Sequence, residues 1–111
     1  MATLSSHLLN SVNGTHANNV DVTIYQIKSN GEKIVFYETK TDSGGRLLKE
    51  FILDDEDCKS EYEMVCKTGD YFSEKKIISE VVVKFKMPDP NKKYHIPIII
   101  SPNGYSIWWS D

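Results

Sequence analysis

Three side chains in this sequence carry the chemistry of acid–base work: His7, Arg46 and His95. His7 lies in the small and apolar run Leu4-Ser5-Ser6-His7-Leu8-Leu9, and His95 opens the β-branched run Ile96-Pro97-Ile98-Ile99-Ile100. Either one alone reads as a satisfied structural histidine. As a pair on neighbouring strands they supply a general base with an orienting partner, or two ligands of a zinc site, because imidazole titrates near neutral pH and its nitrogens ligate zinc. The zinc reading lacks a third ligand, since Cys58 and Cys66 lie in another part of the chain. Arg46 is the one arginine among 13 Lys and Arg residues, and it follows Asp42-Ser43-Gly44-Gly45. A tight turn there would present a planar, bidentate donor at a strand end, where a lone arginine is otherwise a surface charge. His16, in a loop between Thr15 and Ala17, is expected to be exposed and inert. For Trp108 and Trp109, near the C-terminus, the expectation is one ring in the core and the other at a subunit interface. No Walker loop, Gly-x-Ser-x-Gly elbow, Cys-x-x-Cys or His-Glu-x-x-His run is present.

Strands must hold these residues. Val20, Val22 and Ile24 alternate with Asp21, Thr23 and Tyr25, the period of a strand with one buried face. Residues 34–41 (IVFYETKT) repeat the pattern after Ser29-Asn30-Gly31, so the two runs form a hairpin, which Asp42-Ser43-Gly44-Gly45 ends. Residues 47–52 read as a short strand, 54–59 as a polar loop, and Tyr62, Met64 and Cys66 alternate with Glu61, Glu63 and Val65 in the next strand. Residues 70–76 (DYFSEKK) follow Gly69 and carry their acid early and their lysines late, which predicts one short helix. Val81, Val83, Phe85 and Met87 mark another strand, closed by Pro88-Asp89-Pro90-Asn91. Residues 94–101 (YHIPIIIS) and 105–109 are two final strands around Pro102-Asn103-Gly104. With residues 4–10 this makes an all-β chain of seven or eight strands and one short helix, a β-sandwich. The last strand and the strand at 81–87 are expected to be its open edges. Cys66 belongs in the core and Cys58 near a loop, both as reduced thiols.

At 111 residues the chain is expected to be a single domain, 1–111, long enough to bury about 65% of the surface of its unfolded form. The net charge is −3 and no like-charge block exceeds the acidic run 54–57, so no nucleic-acid partner is expected. No apolar stretch approaches the roughly 18 residues of a membrane span. Residues 96–100 come nearest, and Pro97 interrupts them. A basic, apolar leader and a Ser-Lys-Leu terminus are both missing, so the expected location is cytoplasmic, or peroxisomal if a targeting segment has been trimmed.

Four stretches together are more specific than any one residue. Ser6-His7-Leu8-Leu9-Asn10 with Asn13-Gly14-Thr15, then Thr41-Asp42-Ser43-Gly44-Gly45-Arg46, then Tyr62-Glu63 with Thr68-Gly69-Asp70-Tyr71-Phe72, and last the run from Tyr94-His95-Ile96-Pro97 through Ser101-Pro102-Asn103-Gly104-Tyr105-Ser106, resemble the transthyretin-related 5-hydroxyisourate hydrolases. The resemblance implies a transthyretin-like eight-stranded sandwich with one short helix, paired into dimers and then into a homotetramer whose channel holds the sites. It implies a small-molecule substrate, 5-hydroxyisourate, hydrolysed without a cofactor to 2-oxo-4-hydroxy-4-carboxy-5-ureidoimidazoline in urate catabolism. The family's active-site positions fall on His7, Arg46 and His95. Its C-terminal Tyr-Arg-Gly-Ser would occupy Trp108, Trp109, Ser110 and Asp111, so the Arg and the final Ser are absent and Ser110 sits one residue early. Ser110 is then expected to bind substrate, and Trp108 and Trp109 to stack on the flat heterocycle. Because the tetrapeptide separates the hydrolase from transthyretin proper, the alternative is a non-catalytic small-ligand-binding protein. The retained His7, Arg46 and His95 favour the hydrolase, since a carrier has no use for a base and a cation.

Overall fold

The computed structural model describes residues 1–72 and 77–110. Period-2 alternation explains most of it. In β1 (Ala2–Asn10), Ala2, Leu4, Ser6, Leu8 and Asn10 are buried, and the odd-numbered residues between them, Ser5 and His7 included, lie on the outer face. A two-residue strand β2 (Thr15–His16) follows, then β3 (Asp21–Ile27), β4 (Lys33–Lys40), β5 (Arg46–Phe51), helix α1 (Asp55–Lys59), β6 (Glu61–Cys66), helix α2 (Thr68–Tyr71), β7 (Val81–Lys86), β8 (Lys93–Ser101) and β9 (Gly104–Ile107).

Two sheets pack face to face. One runs β2-β1-β8-β9 with β5 also on β1; the other runs β4-β3-β6-β7. β1 is antiparallel to β2 and β5, and parallel to β8. As expected, β9 and β7 end their sheets. Leu4, Leu8, Ile24, Tyr62, Met64, Met87, Ile98 and Ile100 are fully buried between them, each large aliphatic side chain contributing about 1.5–3 kcal/mol. Polar groups that point inward are paired: Ser6 Oγ donates to the Ile96 carbonyl at 2.6 Å, and Gln26 Nε2 donates to Asp57 Oδ1 at 2.8 Å. Cys58 and Cys66 are free thiols, and burial pushes the Cys66 thiol up to about 12. Among the described residues no helix is long and apolar enough to cross a membrane.

Local physics explains where the elements differ from expectation. The run 54–59, expected as a polar loop, contains α1: the Asp57 N–H donates to Asp54 Oδ1 at 2.8 Å and the Asp54 N–H to Asp57 Oδ2 at 3.1 Å, a capping box. The acids that suggested a loop are what a helix N-terminus prefers. The helical turn α2 begins at Thr68, earlier than expected, and Phe72 closes it with extended backbone. Residues 73–76 of the expected helix lie outside the described residues. Strand β9 stops at Ile107 because Pro97, which stands opposite Trp108, has no N–H to complete that rung. The chain still follows β8: Trp108 N–H donates to the Pro97 carbonyl at 3.4 Å and Ser110 N–H to the His95 carbonyl at 2.9 Å.

Candidate active site

The register of three strands assembles the candidate residues on the outer face of the β1 sheet. His7 lies directly opposite Arg46 on β5 and beside Pro97 on β8, while Ser5 lies beside His95. Odd-numbered positions on both β1 and β8 point outward, so His7 and His95 share one face two residues apart along the strands. Ser110, bridged to His95 as an antiparallel pair, faces the same way.

The turn before β5 fixes Arg46. Asp42 Oδ1 accepts the backbone N–H groups of Gly44 and Arg46, both at 2.9 Å. Gly45 has φ +73°, and a Cβ there would lie 2.5 Å from the Leu8 carbonyl oxygen. Its own carbonyl accepts the Leu8 N–H at 2.7 Å, so the turn is pinned against β1 one residue beyond His7. Only glycine combines that backbone angle with that approach. His95 is oriented by Ser5, whose Oγ lies 2.8 Å from its Nδ1.

Burial, followed by the Arg46 guanidinium and His16, holds the His7 imidazole below the ordinary histidine value, against the opposing pull of the Gly44 backbone. His7 is therefore neutral at neutral pH and able to accept a proton. The N–H of Arg46 is the largest influence holding the Asp42 carboxyl below its usual range, with Gly44, the Arg46 charge and His7 adding to it. The arrangement pairs a neutral base with a fixed cation, the combination needed to deprotonate water and offset charge on an oxygen. Among the described residues no group of three His, Cys, Asp or Glu could hold a metal ion, so the two-histidine zinc alternative gains no third ligand.

Two expectations need correction. His16 is exposed as expected but is not isolated: its Nδ1 lies 2.8 Å from His7 Nε2. The signal was present in Asn13-Gly14, a hairpin dipeptide that ends the four-residue turn after β1 and folds Thr15–His16 back onto Leu9 and Asn10. The tryptophans do not supply the ring expected in the core. Neither ring is in the core, since Trp108 is 45% and Trp109 59% exposed. Trp108 stands beside Pro97 on the site's side of the sheet. Trp109 is separated from the histidines: with Phe85, Pro88, Lys92, Tyr94 and Ile96 it lines a cleft of about 350 Å³ between the sheets, Lys92 Nζ lying 4.8 Å from its ring centre. Alternation is the reason, because Trp109 follows the inward-facing side of β8 and Ser110 the outward. Asp111 lies outside the described residues.

The HIUase/Transthyretin family model matches residues 4–109. A 5-hydroxyisourate hydrolase of Salmonella dublin is 33% identical over 108 residues, 95% of this chain and 78% of that one. A 5-hydroxyisourate hydrolase of Halalkalibacterium halodurans is 28% identical over 112 residues, 95% of this chain and 94% of that one. The solved structure of Klebsiella pneumoniae 5-hydroxyisourate hydrolase superposes with a TM-score of 0.77 at 24% identity, covering the whole of both chains. With the sandwich, the strand order and a match spanning nearly every residue in agreement, the chain belongs to the HIUase/transthyretin family.

Proposed function

We propose that this chain is a 5-hydroxyisourate hydrolase, a hydrolase of urate degradation that opens a cyclic amide, with its whole length, 1–111, serving as one transthyretin-like domain. The observation that carries the reading is the outer face of the β1 sheet, where strand register gathers His7, Arg46 and His95 with Ser110 at their rim. His7, neutral beside Arg46, takes a proton from water as the water oxygen bonds a ring carbonyl carbon. Arg46 offsets the charge that builds on that carbonyl oxygen. His95, held by Ser5, relays the proton to the ring nitrogen as the adjacent C–N bond breaks. Ser110 and Trp108, on the same face, contact the substrate. No cofactor enters this scheme. Edges β7 and β9 pair with second copies to build a homotetramer whose channel contains the site. A cytoplasmic location belongs to the same proposal.

Freshly generated 5-hydroxyisourate decays with a change in ultraviolet absorbance. Decay accelerated by the protein supports the proposal, and decay at the spontaneous rate overturns it. Light scattering supports the assembly if the mass is four times the 12.7 kDa chain and defeats it if the mass is that of one chain. The exposed Trp108 and Trp109 rings favour a second reading, a non-catalytic binding protein for a flat small ligand. Saturable quenching of tryptophan fluorescence by such a ligand, without turnover, would establish it.

A further inference from the structure

We propose that His16 is a positioning and proton-sharing residue for His7, so that the two imidazoles act as one base. His7 Nε2 and His16 Nδ1 are 2.8 Å apart, the ring planes differ by 25° and the centroids are 4.9 Å apart. Nearly coplanar rings with touching nitrogens are joined end to end by an N–H···N bond, not laid face to face. The placement is built in from both sides of His16. Asn13 Oδ1 accepts the N–H of Thr15 at 3.1 Å and its Oγ1–H at 2.6 Å. The Ala17 N–H donates to the Leu8 carbonyl at 2.9 Å, and the buried Thr41 hydroxyl donates to the Ala17 carbonyl at 2.8 Å. The Gly45 turn that fixes Arg46 also packs on His16, since a Cβ at Gly45 would stand 3.1 Å from His16 Cβ.

Proton counting gives the pair its chemistry. Two neutral imidazoles have two N–H groups and two lone pairs, and the bond between them uses one of each. The His7 ring also hydrogen-bonds the Gly44 backbone, so the remaining lone pair lies on His16, and the proton that water loses is taken up by the pair, converting the contact into an imidazolium–imidazole bond, which is stronger for being charged. A second proton would break that bond and put two cations beside Arg46 and His95, with Asp42 the carboxylate facing them from the turn. The pair therefore takes one proton readily and resists the next. Burial and Arg46 disfavour charge on His7 alone, so the pair shares the proton until His95 relays it to the departing ring nitrogen.

This inference rests on the hydrolase reading for its kinetic consequence but not for its test by titration. Imidazole nitrogen shifts, followed by NMR against pH, should show His7 and His16 titrating together in two shared steps, and His7 in a single step once His16→Ala is made. In the absorbance assay, His16→Ala should move the acid limb of kcat to lower pH by about one unit and lower the plateau several-fold, with KM unchanged. His16→Asn keeps a hydrogen-bonding group near the Nδ1 position but cannot hold a proton, so it should restore the fold while leaving the limb displaced. Independent single-step titrations in the parent, or an unmoved limb in both variants, would overturn the pair. Coupled titration in a protein with no turnover would retain the pair and sink the hydrolase reading instead.

Discussion

The two outer faces of the sandwich arise from the same alternation and end in opposite electrostatic conditions. On the β3-β6-β7 face Glu63 is clamped by Lys33 at 2.9 Å and Lys84 at 3.7 Å, and Lys33 also sits over the Tyr25 ring at 4.7 Å. Asp21 and Lys40, at 3.4 Å, add a further pair. Lys33, Lys40 and Lys84 there each have a carboxylate in range. On the β5-β1-β8 face stand His7, Arg46 and His95, and the nearby Asp42 gives its Oδ1 to backbone N–H groups. Among the described residues no carboxylate lies in ion-pair range of Arg46. The first face is finished by folding; the second keeps polar capacity for something from outside.

The comparison breaks most decisively at the histidines. His95→Ala should lower kcat/KM by about 10²–10⁴-fold, while thermal unfolding moves little because the ring lies on the outer face. An unchanged rate would place the chemistry elsewhere. Next in size is Gly45→Ala, which combines a left-handed backbone angle with a collision against β1. A loss of about 2–3 kcal/mol in denaturant unfolding is expected, together with loss of activity as Arg46 and His16 are displaced. Arg46→Lys keeps the charge and loses the planar fork, so kcat/KM should fall about tenfold with stability unchanged. Smaller again is a pH effect. The folded-state value of His7 lies below the ordinary one, so the unfolded chain binds more protons as pH falls through and below about 6.5. Its contribution to stability is present above that value and declines below it, and His7→Gln should flatten that part of the stability curve. The smallest effect belongs to the neutralised face: Glu63→Gln should cost less than about 1 kcal/mol and leave turnover untouched.

Much of this was legible in the sequence because alternation is a strong signal in long strands. Residues 20–25 and 61–66 declare which side chains face out, whereas the apolar runs around His7 and His95 show no such alternation and left each histidine readable as a structural one. Their adjacency was not legible from periodicity, since β1 and β8 pair in parallel across some ninety residues; resemblance to the family carried that step. His16 escaped because a two-residue strand has no period, and an exposed histidine after a turn looks idle until the turn is seen folding back. Helix α1 escaped because five residues show no apolar stripe, and the capping box alone announces it. The side chosen by each tryptophan depends on the tail continuing the β8 register past a proline, which composition does not reveal.

The missing N–H of Pro97 also sets the order in which parts of the sheet let go. Amides within β1 and β8 are protected by ladders on both sides and exchange with solvent only when the whole domain opens. Past Ile107 the tail is tied by two spaced backbone bonds, at 3.4 Å and 2.9 Å, around a rung that cannot form. Its opening free energy therefore sits near the bottom of the range for this fold, and deuterium uptake at Trp108 and Ser110 should precede uptake at Ile98 by orders of magnitude. Ser110 is thus delivered to His95 by a lightly tied segment of the sheet, so the site has a floor that stays shut and a rim that breathes.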